Sequence, residues 1–183
     1  MTEDSSGLGV PGSVIVLNGT SSSGKTSLAK ELQKKLPDAW LHMSIDLFSE
    51  CLPPGRELTP QEVFAYMVGV HEAIGGMIST GNRVIVDHVL THDAAVTDLK
   101  RILATAPVVF VGVRCPVEVL EAREQMRSDR PAGLARSQFD LVHRLPYDLE
   151  IDTSQMDPGA AAERILDFLS TSEIRTPAPH TAP

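Results

Sequence analysis

The residues best suited to chemistry lie at positions 19–26, which read Gly-Thr-Ser-Ser-Ser-Gly-Lys-Thr and match G-x-x-x-x-G-K-[ST]. In such a loop, backbone N–H groups converge on phosphate oxygens and the lysine neutralises charge on the β and γ phosphates. Thr26 offers a hydroxyl ligand for Mg²⁺. The motif therefore predicts binding of ATP or GTP with Mg²⁺. The predicted nucleotide-binding residues within the motif and beside it are Gly19, Thr20, Ser21, Ser22, Ser23, Gly24, Lys25, Thr26 and Ser27.

Two regular elements must position this loop. Residues 13–18 form an apolar, β-branched run that predicts a buried strand, and residues 25–36 carry leucine and alanine at helical spacing. The loop therefore joins a strand to a helix N-terminus, where unpaired N–H groups and the helix dipole attract anions. Gly19 and Gly24 allow backbone geometries and close approaches that a Cβ would hinder.

Two aspartates follow predicted strands and are the candidate catalytic and metal-binding carboxylates. Asp46 follows a strand at residues 40–43, and Asp87 ends the apolar run 83–86. One could hold Mg²⁺, and the other could accept the proton of a substrate hydroxyl, because phosphoryl transfer needs both groups. Either could instead be a helix cap or turn residue. Asp87 is also a candidate metal ligand with Thr26. The candidate substrate-binding residues are Ser44, Asp46, Asp87, His88 and Arg136.

Four arginines predict a lid over the phosphates. Arg123 and Arg127 are four residues apart on a predicted helix, so they share a face and are added to the nucleotide-binding set. Arg130 follows in a loop with Pro131 and Gly133, and Arg136 begins the next helix. Guanidinium groups around a mobile loop can close over phosphates and exclude water, so Arg127 and Arg130 join Lys25 and Asp46 as candidate catalytic residues. The alternative is a solvated helix face with partners such as Glu124.

The rest of the chain alternates strand and helix patterns, which predicts a parallel sheet with helices on both faces. Further strands are expected at 83–87, 107–114 and 147–152, and helices at 59–80, 93–103, 116–126, 135–143 and 157–169. The predicted fold is a three-layer α/β/α P-loop kinase-like domain with a five-stranded parallel sheet and a lid. It spans residues 13–170, between flexible tails at 1–12 and 171–183.

Composition excludes several classes of protein. The chain has 183 residues, which suit one domain, and a formal charge of −8, which disfavours nucleic acid as a partner. No apolar run reaches membrane-spanning length, and the acidic, polar start is unlike a signal peptide, so a cytoplasmic protein is expected. Two cysteines make no disulfide framework. The expected partners are a nucleoside triphosphate and a hydroxylated small-molecule acceptor, and a homo-oligomer is left open.

The chain resembles the chloramphenicol phosphotransferase family of P-loop kinases over residues 13–168. The matching stretches are 16–26, 43–46, 84–87, 111–115, 123–133, 142–143, 147–148 and 151–153. The resemblance implies ATP-dependent transfer of the γ-phosphate to a hydroxyl of a small molecule, often an antibiotic. It implies that Asp46 is the catalytic base, that Lys25 and Thr26 serve phosphate and metal, and that Arg127 and Arg130 belong to the lid.

Two departures from the chloramphenicol enzyme concern the acceptor region. The stretch between Glu50 and Gly69 is shorter, and Asp87 is followed by His88 where that enzyme has a second aspartate. The resemblance therefore implies the reaction class together with a different acceptor. A metabolic kinase for a nucleoside, sugar or shikimate-like acid and a kinase toxin acting on a nucleotide-sugar stay open as alternatives. So does a nucleotide-dependent switch, although the Asn-Lys-x-Asp signature of GTPases is missing.

Overall fold

A computed structural model describes residues 11–127, 132–142 and 146–171. Its centre is a five-stranded, wholly parallel sheet in the order β2-β3-β1-β4-β5, which confirms the predicted sheet. The strands are β1 Val14–Asn18, β2 Trp40–Ser44, β3 Arg83–His88, β4 Val108–Arg114 and β5 Leu149–Asp152. Of these, β5 begins two residues later than the sequence predicts.

Seven helices connect or follow these strands in the described part of the chain. They are α1 Lys25–Lys35, α2 Ile45–Ser49, α3 Pro60–Ser79, α4 Asp93–Ile102, α5 Val117–Gln125, α6 Leu134–Val142 and α7 Pro158–Thr171. The predicted start of α3 is confirmed, because Thr59 and Glu62 form a reciprocal capping box with Pro60 in the first turn. The Asp157 carboxylate accepts from the N–H of Ala160 at the start of α7.

The two faces of the sheet carry separate helical layers, as the alternation of side chains along β1 requires. Ile15 and Leu17 lie in the core that contains α1 and α7. Val14 and Val16 lie in the core that contains residues of α3 and α4. All four side chains are fully buried. The three-layer α/β/α architecture follows from this division.

The strand order brings the carboxyl ends of β2, β3 and β1 together. In the sheet register, Asp87 of β3 lies opposite Leu17 of β1 and opposite Ser44 of β2. Because all strands run parallel, the loops that follow β1, β2 and β3 leave from the same edge, where ligands bind in open α/β sheets. This edge therefore gathers the phosphate loop and both candidate aspartates.

The structure tests the predicted ends of the domain only in part. The final helix extends to Thr171, two residues beyond the predicted end. The tails predicted for 1–12 and 171–183 lie, apart from residues 11, 12 and 171, outside the described residues, and residue 171 belongs to the final helix rather than to a tail. None of the helices in the described ranges is long and apolar enough to cross a membrane.

Candidate active site

The phosphate loop between β1 and α1 requires both of its glycines. Gly24 has a φ of 93°, a left-handed conformation that side chains with a Cβ rarely adopt. At Gly19 a Cβ would lie 2.4 Å from the backbone oxygen of Val113, closer than packed atoms approach. The conformational roles predicted for Gly19 and Gly24 are therefore confirmed.

Thr153, which follows β5, ties the phosphate loop to the rest of the fold. Its hydroxyl donates to the backbone oxygen of Ser23 at 2.7 Å. The Arg123 guanidinium donates to the Thr153 hydroxyl at 3.2 Å and to its backbone oxygen at 2.8 Å. Arg123 therefore fastens the loop after β5 beside the phosphate loop. Sequence reasoning placed Arg123 at the nucleotide site but gave Thr153 no role there, although residues 151–153 are among the stretches that carry the family resemblance.

The hydroxyls of Ser21, Ser22 and Ser23 are buried and have no hydrogen-bond partner among the described residues. Buried polar atoms without partners are uncommon because each one forfeits its hydrogen bonds to water. The N–H of Ser21 donates to the side-chain oxygen of Gln138 on α6, at 2.8 Å. The loop thus presents unsatisfied hydroxyls in the place where the motif predicts phosphate.

Asp87 is the centre of a buried polar cluster beside this loop. Its Oδ2 accepts from the Thr26 hydroxyl at 2.8 Å and lies 3.3 Å from Nε2 of His42, and its Oδ1 lies 3.9 Å from Nζ of Lys25. Burial alone would raise the pKa of Asp87, but the His42 hydrogen bond, the Lys25 charge and the Thr26 hydroxyl together lower it. Lys25 also donates to the backbone oxygen of Thr20 at 2.9 Å. The Asp87 carboxylate is therefore held ionised.

The residues around Asp87 fit a magnesium ion. Mg²⁺ prefers oxygen ligands and is commonly held by one or two protein groups together with substrate phosphates. The Thr26 hydroxyl and the Asp87 carboxylate supply such oxygens next to the phosphate loop. No cluster of three or more histidine, cysteine or acidic side chains suited to a metal occurs in the described ranges.

Asp46 lies in the first turn of the short helix α2, on the other side of the same cavity. Ser44 caps this helix, because its hydroxyl accepts from the N–H of Leu47 at 3.1 Å. Ser44 therefore has the capping role that the alternative interpretation assigned to Asp46. Ser44 is not among the cavity-lining residues, so its predicted contact with substrate gains no support from this placement.

The predicted arginine lid is only partly brought together. Arg123 and Arg127 line the cavity. Arg136 instead forms a two-point pair with Glu121 of α5, at 2.5 and 3.0 Å, and does not line the cavity. Its side chain is largely exposed, so a substrate contact would require it to leave that partner. Arg130 lies outside the described residues.

Glu124, which the sequence offered as a partner for the arginines, has another role. It is 4% exposed, and its two carboxylate oxygens accept from the N–H groups of Gly133, at 2.7 Å, and Ala135, at 2.9 Å. These N–H groups lie at the N-terminal end of α6, where a carboxylate is favoured by the helix dipole. Glu124 therefore holds α6 against α5.

One cavity of about 930 Å³ is lined both by the Lys25, Thr26 and Asp87 cluster and by Asp46. Its nucleotide half is lined by the phosphate loop, Arg123, Arg127 and residues after β5, including Thr153. Its other half, here called the acceptor half, is lined by α2, by one face of α3 and by the segment that leads from β3 into α4. The lining residues of the acceptor half are Ile45, Asp46, Pro60, Val63, Phe64, Met67, Val68, His71, His88, Val89, Thr91, His92, Ala94, Ala95 and Asp98.

Two buried histidines lie in the acceptor half. His71 and His88 are each 1% exposed, and their Nε2 atoms are 3.3 Å apart. Burial and the charge of His71 lower the pKa of His88 to about 4, against a smaller opposing effect of the Val89 backbone. The His88 ring is therefore uncharged at neutral pH. The sequence predicted only His88 of this pair, because His71 lies within α3 with no motif around it.

Comparison with known proteins agrees with this geometry. A family model described as chloramphenicol phosphotransferase-like protein matches residues 12–170. The chain belongs to this family. The chloramphenicol phosphotransferase-like family match covers every residue of the cavity described above. A protein of Mycobacterium tuberculosis strain H37Rv, named "Putative O-phosphotransferase", is 32% identical over 174 residues, spanning 80% of this chain and 77% of its own. The chain is therefore a phosphotransferase.

Solved kinases share the fold. The APS kinase of Mycobacterium tuberculosis, solved with AMPPNP and APS, superposes with a TM-score of 0.69 at 18% identity, over 88% of this chain and 99% of its own. The tunicamycin resistance protein of Deinococcus radiodurans gives 0.68 at 20% identity, over 91% and 99%. A sugar kinase from Janibacter gives 0.68 at 22% identity, over 87% and 95%. The predicted P-loop kinase-like fold is confirmed.

Proposed function

We propose that this phosphotransferase moves the γ-phosphate of ATP to a hydroxyl of an uncharged or cationic small molecule, and that the physiological acceptor is an antibiotic. One observation carries the proposal. A single cavity joins the Lys25, Thr26 and Asp87 cluster to Asp46 and to a largely apolar acceptor half. Phosphoryl transfer needs this combination of a phosphate site and a positioned carboxylate.

In the proposed reaction, Asp46 accepts the proton of the acceptor hydroxyl while that oxygen attacks the γ-phosphorus. The bond from the γ-phosphorus to the bridging oxygen breaks, and ADP leaves with that oxygen. Lys25 and the N–H groups of the phosphate loop hold the phosphate oxygens in place. Arg123 and Arg127, which line the nucleotide half, are suited to neutralise charge that develops there. Arg130 keeps its predicted lid role as part of this proposal.

The two aspartates divide the remaining work. Asp87 is buried and already accepts from the Thr26 hydroxyl, so these two residues are the proposed Mg²⁺ ligands. Mg²⁺ bound there would supply positive charge to the phosphate oxygens. Asp46 is exposed to the cavity, on an element that forms part of the acceptor half, so a substrate hydroxyl can reach it. This placement favours Asp46 over Asp87 as the base.

The acceptor half favours an uncharged or cationic molecule with an apolar body. Among the described residues that line it, none is lysine or arginine, whereas Asp46 and Asp98 are acidic. Val63, Phe64 and Met67 of α3 supply apolar surface, and Phe64 is 66% exposed. An acidic metabolite would enter this half without a cation to pair with. The charge balance therefore favours an antibiotic over shikimate-like acids and nucleotide-sugars.

The test is a product screen with matched variants. Purified protein, ATP and Mg²⁺ are incubated with chloramphenicol, tunicamycin, other hydroxylated antibiotics, nucleosides, neutral sugars and acidic metabolites, and products are detected by mass. We expect a phosphorylated antibiotic and no phosphorylated acid. Phosphorylation of an acidic metabolite alone would refute the proposed acceptor class, and no phosphorylated product from any panel member would refute the proposed reaction.

Two variants test the assigned roles. Lys25→Ala should abolish transfer, whereas the exposed control Lys34→Ala should retain it. Asp46→Asn should lower kcat by about 10²-fold or more with little change in ATP affinity, because the base acts on the acceptor. Glu50→Gln removes an exposed charge at the end of the same helix and should leave kcat unchanged. Loss of ATP binding with unchanged kcat in Asp46→Asn would reassign the base.

A further inference from the structure

Helix α6 has two faces with different chemistry. Ala135 and Phe139, four residues apart, pack with Leu120 of α5 in a small apolar core. Leu134 and Gln138, also four residues apart, line the cavity instead. Gln138 therefore brings an amide group, which can both accept and donate hydrogen bonds, to a wall of the cavity.

Two hydrogen bonds attach α6 to the rest of the fold, one at each end. At its start, the N–H of Ala135 donates to the buried carboxylate of Glu124 at 2.9 Å. At its last residue, the backbone oxygen of Val142 accepts from the Tyr147 hydroxyl at 2.8 Å. Gln138 lies between these attachments and is partly buried. Its amide therefore meets the phosphate loop from a helix that is held at both ends.

The contact with the phosphate loop decides which way this amide points. A backbone N–H can only donate, so the N–H of Ser21 requires the oxygen of the Gln138 amide, which lies 2.8 Å away. The amide nitrogen Nε2 is bonded to the same carbon and carries two N–H donors. No hydrogen bond joins Nε2 to another residue in the part of the chain that the structure describes. These donors are therefore available to a ligand beside the phosphate loop.

The groups around this amide indicate an oxyanion as the ligand. The hydroxyls of Ser21 and Ser22 are buried without a partner in the described ranges, both residues line the cavity, and the Lys25 ammonium lies in the same wall. In a nucleoside triphosphate, the N–H groups of such a loop surround the α and β phosphates. The γ-phosphate projects beyond them, so donors from other elements complete its contacts.

We propose that Gln138 is a nucleotide-binding residue, whose Nε2 donates to an oxygen of the γ-phosphate of bound ATP. The N–H of Ser21 holds the amide in the orientation that this contact requires. The inference rests on the proposed function for the identity of the nucleotide, and it adds a contact from α6 to the site. Because charge on the γ-phosphate oxygens is redistributed during transfer, the same contact should also support the chemical step.

Two substitutions of Gln138 separate its accepting oxygen from its donating nitrogen. Gln138→Glu keeps an oxygen for the N–H of Ser21 but replaces the donor by a negatively charged oxygen, whereas Gln138→Met removes both groups and adds no charge. The probes are AMPPNP, an ATP analogue that keeps a γ-phosphate, and ADP, which has none, each titrated with Mg²⁺ in a calorimeter.

Both variants should bind AMPPNP at least about tenfold more weakly than the wild type, because a hydrogen bond to a charged oxygen is lost. The loss should be larger in Gln138→Glu, because its carboxylate repels the phosphate. Affinity for ADP should fall by less than about threefold in either variant. Gln61→Glu makes the same substitution at an exposed position of α3 and should bind both nucleotides as the wild type does.

A contact that only ties α6 to the phosphate loop predicts a different result. The carboxylate of Gln138→Glu would accept from the N–H of Ser21 at least as strongly as the amide does, so AMPPNP affinity would stay at the wild-type value. That result would overturn the proposal. Equal weakening of ADP and AMPPNP would overturn it as well, because it would show a disturbed loop. So would a loss confined to Gln138→Glu, because charge repulsion requires no hydrogen bond.

The binding measurements need no phosphoryl acceptor, so they separate this inference from the proposed function. If the wild-type protein binds AMPPNP but phosphorylates no member of the panel, the proposed reaction fails and the titrations still decide the role of Gln138. If the wild-type protein does not bind AMPPNP, both fail. With the panel compound that is phosphorylated fastest, Gln138→Glu should lower kcat about 10²-fold and leave KM for that compound unchanged. An unchanged kcat at saturating ATP would overturn the contribution to the chemical step.

Discussion

The buried His88 ring should make the protein sensitive to acid over a defined pH range. Burial and the His71 charge lower its pKa from 6.5 to about 4 in the folded protein. Between these values the unfolded chain binds a proton that the folded chain does not bind. Above about pH 6.5, His88 should therefore not reduce the free energy of unfolding. As the pH drops from there towards about 4, the free energy of unfolding should fall.

The size of this effect follows from the two pKa values. The complete difference between 6.5 and about 4 corresponds to about 3 kcal/mol, of which about 2 kcal/mol should be lost between about pH 7.5 and about pH 5. That loss is a large share of the total stability of an ordinary domain. It would shift the midpoint of a urea unfolding curve by about 1 M.

Urea unfolding of the nucleotide-free protein at a series of pH values measures this loss. His88→Gln removes the titrating ring. Between about pH 7.5 and about pH 5, the free energy of unfolding of this variant should therefore fall by about 2 kcal/mol less than that of the wild type. His92→Gln is the matched control, because it makes the same substitution at an exposed histidine, and it should retain the wild-type slope. Equal slopes for wild type and His88→Gln would refute the reasoning.

Three further perturbations test the packing around the site. Gly19→Ala places a Cβ 2.4 Å from the oxygen of Val113 and should lower the stability in thermal unfolding by about 1–3 kcal/mol. The control Gly69→Ala, which has open space around it on α3, should not lower the stability. A similar loss of stability in both variants would contradict the steric explanation. Glu124→Ala should cost about 1–3 kcal/mol in urea unfolding, because the buried N–H of Ala135 and the N–H of Gly133 lose their acceptor. An unchanged midpoint would contradict the role of Glu124 in holding α6. Arg123→Ala should weaken ATP binding about tenfold in calorimetry, because the loop after β5 loses its hydrogen bonds to Arg123. Wild-type affinity for ATP would contradict this role of Arg123.

The sequence determined the features that depend on local pattern. The order of elements followed from hydrophobic periodicity, and the phosphate loop from a fixed spacing of eight residues, 19–26. The capping box at Thr59 and Glu62 could be predicted because all its atoms lie within one turn. The position of Asp87 beside Thr26 followed from its place at a strand end, since parallel strands gather their carboxyl ends at one edge.

The tertiary structure decided the contacts between faces of different elements. Ser44 rather than Asp46 caps α2, and Arg136 pairs with Glu121 across two helices. His71 meets His88 only because α3 packs on the face of β3 opposite α1. Periodicity shows which face of an element is buried but not which residue of another element lies against it. That choice depends on the rotation and offset of packed helices, which many distant contacts set together.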